Sequence, residues 1–153
     1  MQTNQGPDRA ILSFDERCKS RVLLTLESGE QAALVVERGR VLRGGERVRL
    51  ACGREIEVVA ADEALIEAES DDPLLIAKAA YHLGNRHVAL QVESGRLRLL
   101  DDHVLAQMLE GLGLRVRRVH APFEPEGGAY GHHHAHGSEK PLARPKIHDF
   151  SAP

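Results

Sequence analysis

The hydrophobic period of this chain first turns helical at Asp71-Asp72-Pro73, and that change limits what each half can fold into. Before it, apolar and polar residues alternate over short stretches, the period of a half-buried strand. Arg21 to Leu26 is rich in strand formers and closes on the turn Glu27-Ser28-Gly29-Glu30, from which Gln31 to Val36 returns as a hairpin partner. Arg47 to Leu50 places Arg47 and Arg49 on one face and Val48 and Leu50 on the other, and Glu55 to Val58 repeats the alternation. Gly39, Gly44, Gly45 and Gly53 punctuate these segments, and Arg43-Gly44-Gly45-Glu46 reads as a simple turn. Residues from 9 to about 70 therefore predict β-structure, a small sandwich or barrel. With no Trp and 3% aromatic residues, its core must be built from Leu, Val, Ala and Ile.

After the change the period is helical. Asp72 is a good N-cap, and Pro73 suits the first helical position, where its missing N–H is harmless. A helix from Pro73 to Leu83 would bury Leu75, Ile76, Ala79 and Leu83, with Gly84 as the left-handed stop. Strands at Val88 to Glu93 and Arg96 to Leu100 follow, joined by Ser94-Gly95. A second helix starts at Asp101 or Asp102, carries Val104, Leu105, Met108, Leu109 and Leu112 on one face, and ends at Gly113. Arg115 to Val119 is a final strand. With Ala64 to Ala68 as the first, the order is β-α-β-β-α-β, the ferredoxin-like plan. The expectation is an α+β chain: an N-terminal β-domain over 1–70, a ferredoxin-like domain over 71–130 whose first strand starts from about 64, and a tail over 131–153 of disordered composition.

Five of the nine histidines lie in that tail, at His132, His133, His134, His136 and His148. Neutral imidazole is the commonest side-chain metal ligand and suits nickel, copper and zinc. A cloning tag is the bland alternative, but Ala135 interrupts the run and the chain continues to Pro153. His82 lies four residues from Lys78 and reads as an exposed helical histidine. His87 sits where Asn85-Arg86-His87 turns into a strand; on spacing alone it shapes that turn, although such junctions also concentrate functional side chains. Asp101, Asp102 and His103 are either a helix cap with a neighbour or a weak oxygen–nitrogen metal site, capping being favoured. His120 reads as an exposed strand-end residue.

The charge of −3 argues against a nucleic-acid binder, which carries a basic surplus. No apolar run approaches a membrane span, and the N-terminus lacks the pattern of a signal peptide. Cys18 and Cys52 suit free thiols in a reducing compartment, so a cytoplasmic location is expected. No nucleophile elbow, HExxH motif or phosphate-binding loop is present.

Several motifs in order carry a resemblance: Asp71-Asp72-Pro73, Tyr81-His82-Leu83-Gly84-Asn85-Arg86-His87, Asp102-His103-Val104-Leu105, Gly111-Leu112-Gly113-Leu114 and Pro122-Phe123-Glu124-Pro125-Glu126-Gly127-Gly128-Ala129-Tyr130, then the histidine-containing tail. Together with Lys19-Ser20-Arg21 and Leu42-Arg43-Gly44-Gly45, this set resembles the UreE urease accessory proteins from about residue 11 to the tail. The resemblance implies a nickel metallochaperone rather than an enzyme, with Ni(II) as cargo and Zn(II) or Cu(II) as ions also taken in vitro. It implies a homodimer formed through the ferredoxin-like domain, and partners in a urease maturation complex that includes a GTPase component and apo-urease. It assigns His87 as the interfacial ligand, reversing the reading from spacing, with help from His132, His133, His134 and His136. His103 matches the later position of a peripheral His-Asp-His pair, whose earlier position is Asp101 here. Two other classes stay open: a metal-dependent enzyme in which His87 and Asp102 hold an ion that activates water, and a scaffolding module with incidental metal binding.

Overall fold

The structure, a computed structural model, describes residues 6–128. Its first half holds two small sheets around one aliphatic core. Strand β1 (Asp8–Leu12) lies parallel to β5 (Glu55–Ala60), which pairs antiparallel with β4 (Arg47–Arg49). The expected hairpin of β2 (Arg21–Thr25) and β3 (Gln31–Val35) forms the second sheet, with Leu23 opposite Ala33. Alternation sends Leu24, Leu34, Val48, Leu50, Ile56 and Val58 into the shared core and leaves Arg47 and Arg49 exposed. This is the sandwich alternative. Each such side chain contributes about 1.5–3 kcal/mol by leaving water.

A short helix interrupts the expected run of β-structure. Helix α1 (Phe14–Cys18) starts with a capping box: Glu16 N donates to Ser13 Oγ (3.3 Å) while Ser13 N donates to Glu16 Oε2 (2.8 Å). Two otherwise orphaned donors are thereby satisfied, worth about 1 kcal/mol.

The second half follows the β-α-β-β-α-β plan. Strand β6 (Asp62–Glu69) pairs antiparallel with both β8 (Arg96–Leu100) and β9 (Arg115–Pro122), and β7 (Gln91–Glu93) adds to β8, giving the order β7-β8-β6-β9. Helices α2 (Pro73–Gly84) and α3 (His103–Leu112) cover one face. There Ile66, Ala68, Leu97 and Leu99 of the sheet pack with Ala79, Leu83, Ala106 and Leu109 of the helices. The other face carries Glu67, fully buried beneath Arg98 and Arg117. No helix among the described residues is long and apolar enough to cross a membrane.

Three expected boundaries move. Strand β9 runs on to Pro122 because β6 pairs with it along its whole length. Strand β7 is only Gln91–Glu93, since Val88 and Leu90 pack into the helix-side core instead of pairing. Helix α2 passes through Gly84, whose φ is not positive, and the left-handed residue is His87 at φ +55°.

Candidate metal centre

His87 occupies a position that a helix end normally gives to glycine. Its N–H donates to the Gly84 carbonyl (3.0 Å), and the next N–H, from Val88, donates to the Leu83 carbonyl (3.2 Å). These two bonds, closing across one left-handed residue, are the Schellman arrangement, with the apolar Val88 returning to the core beside Leu83. Helix α3 ends the same way: Gly113 N donates to Glu110 O (2.9 Å), Leu114 N donates to Leu109 O (3.1 Å), and Gly113 has φ +101°. The two ends differ in that α2 carries an imidazole where α3 carries no side chain. A non-glycine residue there costs about 1–2 kcal/mol. The His87 side chain is exposed.

The other histidines are placed differently. His82 is half-buried, its ring set edge-on to Tyr81 with centroids 5.6 Å apart, so it does not belong to the exposed stripe expected from Lys78. Its carbonyl accepts from Arg86 Nη1 (3.0 Å). His103 is the first residue of α3 and is exposed. His120 is exposed on β9 opposite Ala64.

The two aspartates before His103 are already engaged. Asp102 Oδ1 accepts from Val104 N (2.9 Å) and Leu105 N (3.1 Å) as the N-cap of α3. Asp101 takes Arg118 Nε on both carboxylate oxygens (3.1 and 3.2 Å). Asp102 is therefore the cap of α3, and Asp101 is the ion-pair partner of Arg118. A cleft of about 220 Å³, lined by Val88, Ala89, Leu100, Asp101, Asp102 and Leu105, connects the segment after His87 to the start of α3.

Among the described residues no group of three or more His, Cys, Asp or Glu side chains is arranged to hold a metal ion. Neither His87 nor His103 therefore belongs to such a group. His132, His133, His134 and His136 lie outside the described residues. Both helices also expose large apolar side chains: Leu74 (59% exposed) and Tyr81 (67%) share a face of α2, and Val104 (60%) lies in the first turn of α3.

Reasoning from residues alone overlooked Arg17 and Glu124. Arg17 of α1 is fully buried, with Nη1 donating to the Leu42 carbonyl (3.1 Å) and to Glu124 Oε1 (2.8 Å). Its Nε is buried without a partner among the described residues. The Ser13/Glu16 capping box was the one local signal for the helix that carries it.

Comparison with known proteins assigns both halves. Residues 3–61 match the N-terminal domain of the UreE urease accessory protein, and residues 63–150 match its C-terminal domain. A urease accessory protein UreE of Dechloromonas aromatica is 46% identical over 94% of this chain and 91% of its own length. One from Pseudomonas putida is 57% identical over 78% of this chain and 73% of its own, and one from Cupriavidus necator is 47% identical over 88% and 70%. With both domains matched in order and nearly the whole chain aligned, this protein belongs to the UreE family of urease accessory proteins.

Proposed function

We propose that this protein is a metallochaperone that binds Ni(II) and delivers it during assembly of the urease active site. The observation that carries the reading is His87: an exposed imidazole held at a left-handed position that folding alone favours as glycine. A single imidazole holds nickel weakly. In a two-fold dimer one histidine becomes two, because an isologous interface repeats each residue across its axis. The exposed Leu74, Tyr81 and Val104 supply apolar surface that such a dimer would cover. Two imidazoles leave coordination positions for His132, His133, His134 or His136, or for water, and an incomplete ligand set suits a carrier that must release its cargo. The recipients in this reading are the urease maturation complex, its GTPase component and apo-urease. Zn(II) and Cu(II) would compete in vitro, since imidazole sites rank copper above nickel. His103, with its neighbouring aspartates engaged, is an accessory ligand at most.

The test is nickel titration of the full chain beside the His87→Ala and His82→Ala variants at pH 7.5 and 5.5, with urease activation read in parallel. His87→Ala removes two ligands per dimer and is expected to be the most damaging single change to binding and delivery, with His82→Ala mild. Protons compete with the metal for the ligating nitrogens, so binding should be weaker at pH 5.5 than at pH 7.5. Equal loss from the two alanines, or none from His87→Ala, removes His87 from this role.

A further inference from the structure

The segment after β9 is tied to both halves of the molecule. Phe123 is fully buried, its ring edge-on to Phe14 of α1 at 5.2 Å. Arg17 donates from Nη2 to the Phe123 carbonyl and from Nη1 to Glu124 Oε1. Gly44 N donates to that same carboxylate oxygen (3.0 Å), and Arg43 Nη1 donates to the Pro125 carbonyl (2.5 Å). These contacts all reach the β-domain. In the other direction, Glu124 N donates to Gln91 Oε1 (2.9 Å), at the start of β7, and Glu126 N donates to the Leu90 carbonyl (2.8 Å). Residues 123–126 therefore form a strap with one edge on α1 and the Arg43-Gly44 turn and the other on residues 90 and 91.

Residues 90 and 91 end the loop that carries His87. Val88 to Leu90 belongs to no strand. Its backbone is tied at one end by Val88 N to the Leu83 carbonyl and at the other by the Leu90 carbonyl to Glu126 N. A left-handed residue with a side chain persists only where its surroundings over-determine it. The helix end supplies one constraint, and the strap supplies the other.

We infer that Glu124 is a positioning residue for His87: gripped by Arg17 and Gly44, it fixes Gln91 and Leu90, so that the β-domain sets the geometry of the metal-holding loop. This rests on the reading of His87 as a nickel ligand. Glu124 touches no ion; its effect passes through two backbone N–H groups, its own and that of Glu126.

Removing Glu124 alone would leave Arg17 buried without its counter-charge, a change that can unfold the chain. Two variants avoid that. Gln91→Met deletes the acceptor of the Glu124 N–H, together with a bond to Glu93 (2.7 Å). The double variant Arg17→Met/Glu124→Gln removes both charges and leaves Gln91 in place. In full-chain protein, each should weaken nickel affinity about tenfold, the scale of losing an outer support of a metal ligand. Hydrogen–deuterium exchange should rise at Val88 and Gln91 while the sheet of β6, β8 and β9 stays protected. Wild-type affinity and exchange in both variants would overturn the inference, as would exchange that rises uniformly over that sheet. A drop in affinity with His87→Ala but not with the strap variants overturns the positioning role alone; no drop with His87→Ala overturns the nickel reading and this inference with it.

Discussion

At the scale of single residues, the comparison between His87 and Gly113 isolates one side chain in one backbone arrangement. Both close a helix with the same pair of bonds, and only His87 bears a Cβ in the left-handed region. The strain is relieved by glycine and not by alanine. His87→Gly is therefore expected to be more stable than His87→Ala by about 1 kcal/mol, or roughly 3 °C in unfolding midpoint for a chain of this size. Both should lose nickel equally, since neither offers a ligand. Thermal unfolding of the metal-free proteins checks this, and His87→Ala melting at or above His87→Gly would refute the strain argument. The helix end was only partly legible. Gly84 is the nearest glycine to the last periodic residue, so a stop at Gly84 follows from propensity. Packing decides otherwise: Val88 must return to Leu83, and that contact closes the motif three residues later, on a histidine.

At the scale of elements, the face of the β7-β8-β6-β9 sheet turned away from the helices carries a charge ladder across three strands. Glu67 of β6 accepts from Arg98 of β8 (Nε, 2.6 Å) and Arg117 of β9 (Nε, 2.7 Å), and Arg96 stands 3.6 Å away. Burial pushes the Glu67 carboxyl up, but the Arg117 and Arg98 hydrogen bonds and charges outweigh it and hold it below the usual carboxylate range. The hydrogen bond from Arg96 likewise holds Glu93 low, against a smaller effect of burial. Carboxyls whose folded pKa is depressed contribute stability that is complete above their unfolded values and lost as pH falls through the folded ones. The unfolding midpoint should thus fall as pH drops below about 4.3, the ordinary Glu value. Glu67→Gln should cost roughly 2 kcal/mol at neutral pH, the scale of a charged hydrogen bond, and flatten the acid slope. An unchanged slope in that variant would show that the acid sensitivity resides elsewhere. The strands that carry this ladder were readable from the sequence and the pairing of their charges was not, while the Asp72 and Asp102 caps were readable from residue type and position. Helix α1 was not, because five residues show no periodicity and only Ser13 and Glu16 mark it. The parallel pairing of β1 with β5 joins segments far apart in sequence, which no local pattern encodes.

At the scale of the whole molecule, the two halves were legible because their hydrophobic periods differ, whereas their coupling was not. A buried arginine meeting a glutamate far along the chain leaves no spacing to read, so the strap through Glu124 emerged only from the fold. The same reasoning governs assembly. In the proposed reading each copy offers one exposed His87 and the exposed Leu74 and Tyr81 of α2, and a second copy would add the second imidazole while covering apolar surface. The dimer is then a property of the protein and not of the ion, because the contact that brings two imidazoles together must precede their capture of nickel. Sedimentation of the metal-free protein at micromolar concentration should show a dimer, and a monomer both with and without nickel would exclude an interfacial site. Removing residues 131–153 takes away five histidines but leaves His87, so native mass measurement of nickel-loaded protein should find fewer ions and still at least one per dimer. If truncation abolishes binding altogether, the tail holds all the metal and the left-handed histidine is a structural oddity of one helix end. Retention of an ion that is then lost with His87→Ala would place it between the two copies.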